Sequence, residues 1–163
     1  MIYPVPALVI EGMEDTGKTT LFQVLQDRLE AEGYKVQRFT PERLKDPDDL
    51  VGWYNSHFKM GLEILRCQNR GETIPLVDRS YISFLIYQLG FGKEPRNLPA
   101  WISALSFEPD EAFFLYREKG LYAKEYESMA QSGAPFFLLK ENEYLHEDAI
   151  QEILTKYKNR LKG

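Results

Sequence analysis

One cysteine and two histidines are the whole of the soft metal-binding capacity in these 163 residues. Cys67 can close no internal disulfide, and with His57 and His146 scattered along the chain there is no structural zinc spacing. Both histidines read as surface or capping residues. A reducing, cytoplasmic setting fits this usage. No run of 18 or more apolar residues is present, so nothing reads as a membrane span. The opening "MIYPVPALVIEG" is apolar but lacks a basic leading region and a small-residue cleavage pattern, which predicts no secretory leader. Positive charge is scarce too: 20 Lys and Arg against 25 Asp and Glu give a net charge of -5. That balance excludes a broad duplex nucleic-acid footprint and leaves room for a local basic pocket that binds a small anion. There is no internal repeat, no GxGxxG of a dinucleotide-binding oxidoreductase and no NKxD signature of a guanine-nucleotide switch. A chain of this length and composition reads as one domain over residues 1–163.

What is present alternates regularly. "ALVI" at 7–10 is a short buried-strand run, and from Gly17 the apolar residues Leu21, Val24, Leu25 and Leu29 recur at helical spacing until Gly33. "YKVQRFT" alternates as a second strand. A turn-rich connection follows, whose Asp48 is positioned to cap a long helix over 50–70 that stops at Gly71. "TIPLVD" is a third strand, "RSYISFLIYQLG" a helix, "AWISALS" a short helix and "EAFFLY" a fourth strand. A polar helix over about 117–131, the strand "PFFLLK" and a closing helix, "HEDAIQEILTKYKNRL", complete the chain. Alternating strands and helices predict an α/β fold, a parallel sheet covered on both faces with a crevice at the carboxyl ends of its strands.

The segment Gly12-Met-Glu-Asp-Thr-Gly17-Lys18-Thr19 matches GxxxxGK(S/T) and lies between a strand and a helix, where the motif works. Glycines let successive N–H groups turn inward onto phosphate oxygens, and the helix amino terminus adds its partial positive charge. Lys18 is placed to reach the β- and γ-phosphates and Thr19 to offer its hydroxyl to Mg2+. Asp78, at the end of "TIPLVD", has the form of the carboxylate that holds the metal through water.

"EGMEDTGKTT" resembles the EGxDxxGKTT loop of thymidylate kinases. "DRSYISFLIYQ" resembles their DRYxxSxxAYQ segment at Asp78, Arg79, Ser83, Tyr87 and Gln88, and "FFLLKENEYLHEDAIQEI" is similar to their last strand and helix. The deoxynucleoside kinases share part of this pattern. The resemblance implies a three-layer αβα P-loop kinase fold with a five-stranded parallel sheet of order 2-3-1-4-5, and ATP with Mg2+ as the donor system. It implies a thymidylate-like deoxynucleoside 5′-monophosphate as acceptor. On that basis Gly12, Asp15, Thr16, Gly17, Lys18, Thr19 and Thr20 form the nucleotide-phosphate cradle. Glu14 contacts the acceptor sugar's 3′-hydroxyl, and Arg79 forks onto the acceptor phosphate. Ser83, Tyr87 and Gln88 line the acceptor site, where Tyr87 one turn from Ser83 is placed to select deoxy sugars. For the base, Phe58 is the stacking candidate and Arg66, two turns on, the edge contact. The similar kinases are dimers, and apolar Leu62, Leu65 and Leu85 hint at a homodimer.

Two departures stand out. Asp15 takes a loop position where some thymidylate kinases place an arginine, and an acid there cannot neutralise charge on the transferring phosphoryl. The positive charge must come from the lid-like segment at about 117–131, where Arg117, Lys119 and Lys124 are the candidates and Arg117 is the only arginine between residues 97 and 159. The second departure is "TPE" after the second strand, where the two families carry "TREP" and "TEP". Glu42 is therefore an alternative general base, as a deoxynucleoside kinase would need for a 5′-hydroxyl. A P-loop protein that binds nucleotide without turnover is the third reading, and Asp15 favours it.

Overall fold

We obtained a computed structural model of the chain, which describes residues 5–12, 18–41, 49–78, 111–116, 123–131, 136–140 and 147–162. In chain order the elements are β1 (Leu8–Gly12), α1 (Lys18–Ala31), β2 (Lys35–Phe39), α2 (Leu50–Arg70), β3 (Thr73–Asp78), β4 (Glu111–Tyr116), α3 (Ala123–Gln131), β5 (Phe136–Lys140) and α4 (Glu147–Leu161). The five strands form one parallel sheet of order β2-β3-β1-β4-β5. This is the order that the resemblance implied. The two helices expected from "RSYISFLIYQLG" and "AWISALS" lie outside the described residues.

Strand alternation divides the core in two. Leu8, Ile10, Ile74, Leu76, Phe113 and Leu139 point to one face, where α1 supplies Leu21, Phe22, Leu25 and Leu29, and α4 supplies Ile150, Ile153, Leu154, Tyr157 and Leu161. Ala7, Val9, Val77, Phe39 and Ala112 point to the other, where α2 supplies Met60, Ile64 and Cys67, and α3 supplies Ala123 and Tyr126. The result is helix, sheet, helix. Phe113 and Phe137 stack at 5.1 Å between ring centroids on neighbouring strands. Buried Tyr157 of α4 donates its hydroxyl to the carbonyl of Pro6 ahead of β1. On the surface, Arg28 of α1 grips both carboxylate oxygens of Glu147 and Lys158 reaches Glu32 at 2.7 Å, so α1 and α4 are paired by charge as well as by core. The Arg28 bonds hold the Glu147 carboxyl down to about 2.

Helix ends follow local chemistry. Asp49, rather than Asp48, is the amino-terminal cap of α2: its carboxylate accepts the Gly52 N–H at 2.9 Å. A Cβ at Gly52 would collide with that carboxylate, so the cap and the glycine belong together. At the other end Gly71 takes φ 73, the left-handed value that closes a helix without Cβ strain. Among the described residues no helix is long and apolar enough to cross a membrane.

Candidate functional site

β1 ends at Gly12 and α1 begins at Lys18, so the connection between them, residues 13–17, starts at the carboxyl end of the central strand. Those five residues, including Glu14, Asp15, Thr16 and Gly17, lie outside the described residues. Their two anchors are placed as the motif requires. The first N–H groups of a helix have no partner within it, and the first turn of α1 contains no acidic residue to compete for them. Thr19 and Thr20 are exposed in that turn.

Asp78 closes β3 and pairs in register with Ile10 of β1, two residues before Gly12. Alternation after Ile74 and Leu76 points it to the α1 face, the face that carries Thr19. It is half-buried. Among the described residues no group of three or more His, Cys, Asp or Glu could hold a metal ion. A magnesium ion held largely by phosphate oxygens and water needs only one or two protein ligands, and Thr19 with Asp78 suits that arrangement.

The base-pocket pair is not brought together. Ser56, His57, Met60, Ile64, Cys67 and Gln68 form the buried side of α2, while Val51, Phe58 and Leu62 are 67%, 43% and 38% exposed on its outward side. Eight helical residues separate Phe58 from Arg66 by about 12 Å, more than one base spans. Arg66, itself exposed, lies in the descending end of α2, where the Cys67 thiol donates to the carbonyl of Thr73 at 3.5 Å and the carbonyl of Gln68 accepts the Val5 N–H at 3.0 Å. Both contacts mark the amino ends of the strands. Arg66 thus lies further toward the amino ends of the strands than Phe58 does. Lys124 is exposed at the start of α3. Arg79, Ser83, Leu85, Tyr87, Gln88, Arg117, Lys119, Glu42 and His146 lie outside the described residues.

Two residues given little weight in the sequence are buried on the α2 side. Glu11, the last residue before Gly12, is 0% exposed and follows Val9 in alternation, so it points to the face opposite Asp78 and α1. His57 is buried, which overturns its reading as a surface residue. The spacing 57, 60, 64, 67 and 68 would have revealed it as part of the helix's inner stripe. Burial lowers the His57 pKa from 6.5 to about 4. The histidine is thus neutral in the folded chain and takes a proton on unfolding below pH 6.5, so the stability it supports above that pH drains away as pH falls toward 4. Urea unfolding should show a loss of about 2 kcal/mol between pH 7 and pH 5 that the His57→Gln variant lacks. Equal losses in the two proteins would refute the assignment.

No protein-family model matches the sequence, and no curated protein does. Among solved structures, the thymidylate kinase from Ehrlichia chaffeensis is similar in fold: TM-score 0.68 at 15% identity, over 98% of this chain and 99% of that one.

Proposed function

We propose that the chain transfers the γ-phosphoryl of ATP to a deoxynucleoside 5′-monophosphate, a thymidylate-like acceptor, to give the diphosphate. The observation that carries this reading is the strand-to-helix step from Gly12 to Lys18 on the central strand, with Asp78 beside it on β3 and the GxxxxGKT sequence between. The fold similarity to a thymidylate kinase supports it.

The acceptor's phosphate has its second pKa near 6 and is mostly a dianion at pH 7, so its oxygen attacks without a base. The new bond joins that oxygen to the γ-phosphorus, the bond from the γ-phosphorus to the bridging oxygen breaks, and ADP leaves with the electron pair. Lys18 and the first N–H groups of α1 hold the donor phosphates, and Thr19 and Asp78 would hold Mg2+, which neutralises phosphate charge when bound. Asp15 adds no positive charge, so Lys124 or Arg117 supplies the remainder. In-line transfer sets entering and leaving oxygens on opposite sides of the phosphorus. With the donor anchored on the α1 face, the acceptor's place is the carboxyl edge on the α2 face.

The deciding experiment is an ATP-coupled assay with Mg2+ against the four deoxynucleoside monophosphates and the four deoxynucleosides, products separated by chromatography. Diphosphates from one or more monophosphates are expected. Products from nucleosides alone would move the chain to nucleoside phosphorylation with Glu42 as base, and no product would leave nucleotide binding without turnover.

A further inference from the structure

We propose that Arg38 is a positioning residue for the donor site: from β2 it grips the two residues of α1 that lie one turn beneath Lys18 and Thr19, and it adds a permanent positive charge to that face. This rests on the donor half of the kinase reading above, in which Lys18, Thr19 and Asp78 serve the ATP phosphates and their metal. The contacts are direct. The Arg38 guanidinium lies over the ring of Phe22, 4.7 Å from its centroid, and its Nη1 donates to Gln23 Oε1 at 3.2 Å. Gln23 in turn donates through Nε2 to Asp27 Oδ1 at 2.8 Å, one turn further along α1. Residues four apart on a helix are neighbours on one face, so Phe22 follows beneath position 18 and Gln23 beneath position 19.

Register brings the third donor residue to the same face. Arg38 pairs with Leu76 of β3, and Asp78 follows two residues later. Val36 packs in the α1-face cluster, so Arg38, two residues on, shares that face with Leu76 and Asp78. A strand spacing of about 4.8 Å and a two-residue rise of about 6.6 Å set the Cβ atoms of Arg38 and Asp78 roughly 8 Å apart. β2 is an outer strand of the sheet, and a charge on such a strand can serve only to keep another strand from pairing there. That service asks nothing of its reach. Arg38 instead crosses to α1, where a planar guanidinium covers a buried aromatic ring and holds a side-chain oxygen at once. An exposed contact of this kind adds little to folding, so its loss should show in the donor constants rather than in stability.

The test is ATP affinity, read by isothermal titration with Mg2+ and ATP and by KM in the coupled assay. Arg38→Met keeps a long apolar cover on Phe22 and loses the charge and the donors. It should raise Kd and KM for ATP about fivefold or more, the scale of one net hydrogen bond, with KM for the acceptor within about twofold of the parent. Arg38→Lys, which keeps the charge and a donor, should recover part of the loss. Gln23→Ala should weaken ATP in the same direction, and the double variant should lose no more than Arg38→Met, because one grip can be broken only once. Should Arg38→Met not fold, the split is read on Gln23→Ala alone. Variants that bind ATP as the parent does, with only a lowered melting temperature, overturn this inference and spare the kinase reading, as do variants that lose ATP and acceptor in proportion. If the parent binds ATP but turns over no acceptor, the transfer reading falls and the titration alone decides the role of Arg38. A parent that binds no ATP overturns both.

Discussion

Lys18→Ala is expected to abolish phosphoryl transfer while the protein stays folded. The lysine is the first residue of α1, and alanine is the best helix former, so the helix start keeps its backbone N–H and loses only the ammonium. That ammonium belongs to the one cationic residue in the loop sequence, the one able to meet charge shared between β- and γ-phosphates. Asp15, three residues earlier, offers the opposite sign. Removing a preorganised donor of this kind costs on the order of 10^2 to 10^3 in kcat, or about 3 to 4 kcal/mol, and with no arginine in the loop as reserve the effect should reach the upper end. Lys18→Arg should recover little, because a planar fork does not occupy the place of a compact ammonium. The check is kcat with the best acceptor, together with circular dichroism and thermal melting of both variants. An alanine variant that turned over at the parent's rate would mean that the motif does not hold the donor phosphates.

How far the sequence alone reaches depends on the range of the interaction involved. The five described strands and their helices follow from periodicity, a local property: "TIPLVD" and β3 coincide, and "EAFFLY" is β4 residue for residue. Sheet order is not local. It came from the loop and "DRS" resemblance rather than from any pattern of apolar residues. Errors arose where two local readings were equivalent. Adjacent Asp48 and Asp49 both suit a cap, and only the approach of Gly52 selects the second. A histidine among polar and aromatic neighbours reads as exposed until the inner stripe of α2 is drawn through it. Arg66, two turns beyond Phe58, lies further toward the amino ends of the strands, a direction that counting turns does not give. Glu11 was legible only as the residue before a glycine. Its burial depends on β3 and β4 closing around β1, which no stretch of sequence displays.

Asp78 is the residue for which structure adds most to the sequence reading, and Asp78→Ala should lower kcat by about 10^2-fold or more if it holds the metal's water shell. Acidic residues at strand ends are common as plain turn signals, so the carboxylate alone decides nothing. Register decides more: Asp78 is hydrogen-bonded alongside Ile10 on the strand that leads into the loop, and its face is the one from which α1 rises with Thr19 exposed in the first turn. A turn signal has no need of that face. The two roles give different kinetics. A carboxylate that anchors hydrated magnesium, once removed, should raise the Mg2+ concentration for half-maximal rate, and excess Mg2+ should restore part of the loss. Asp78→Asn, which keeps the shape and loses the charge, should behave like the alanine variant. A turn residue would instead lower the melting temperature and leave the Mg2+ dependence untouched. Rates measured against Mg2+ at saturating ATP, with melting curves of both variants, separate the two. An unchanged Mg2+ curve would remove Asp78 from the site and leave Thr19 as the only described residue assigned to the ion.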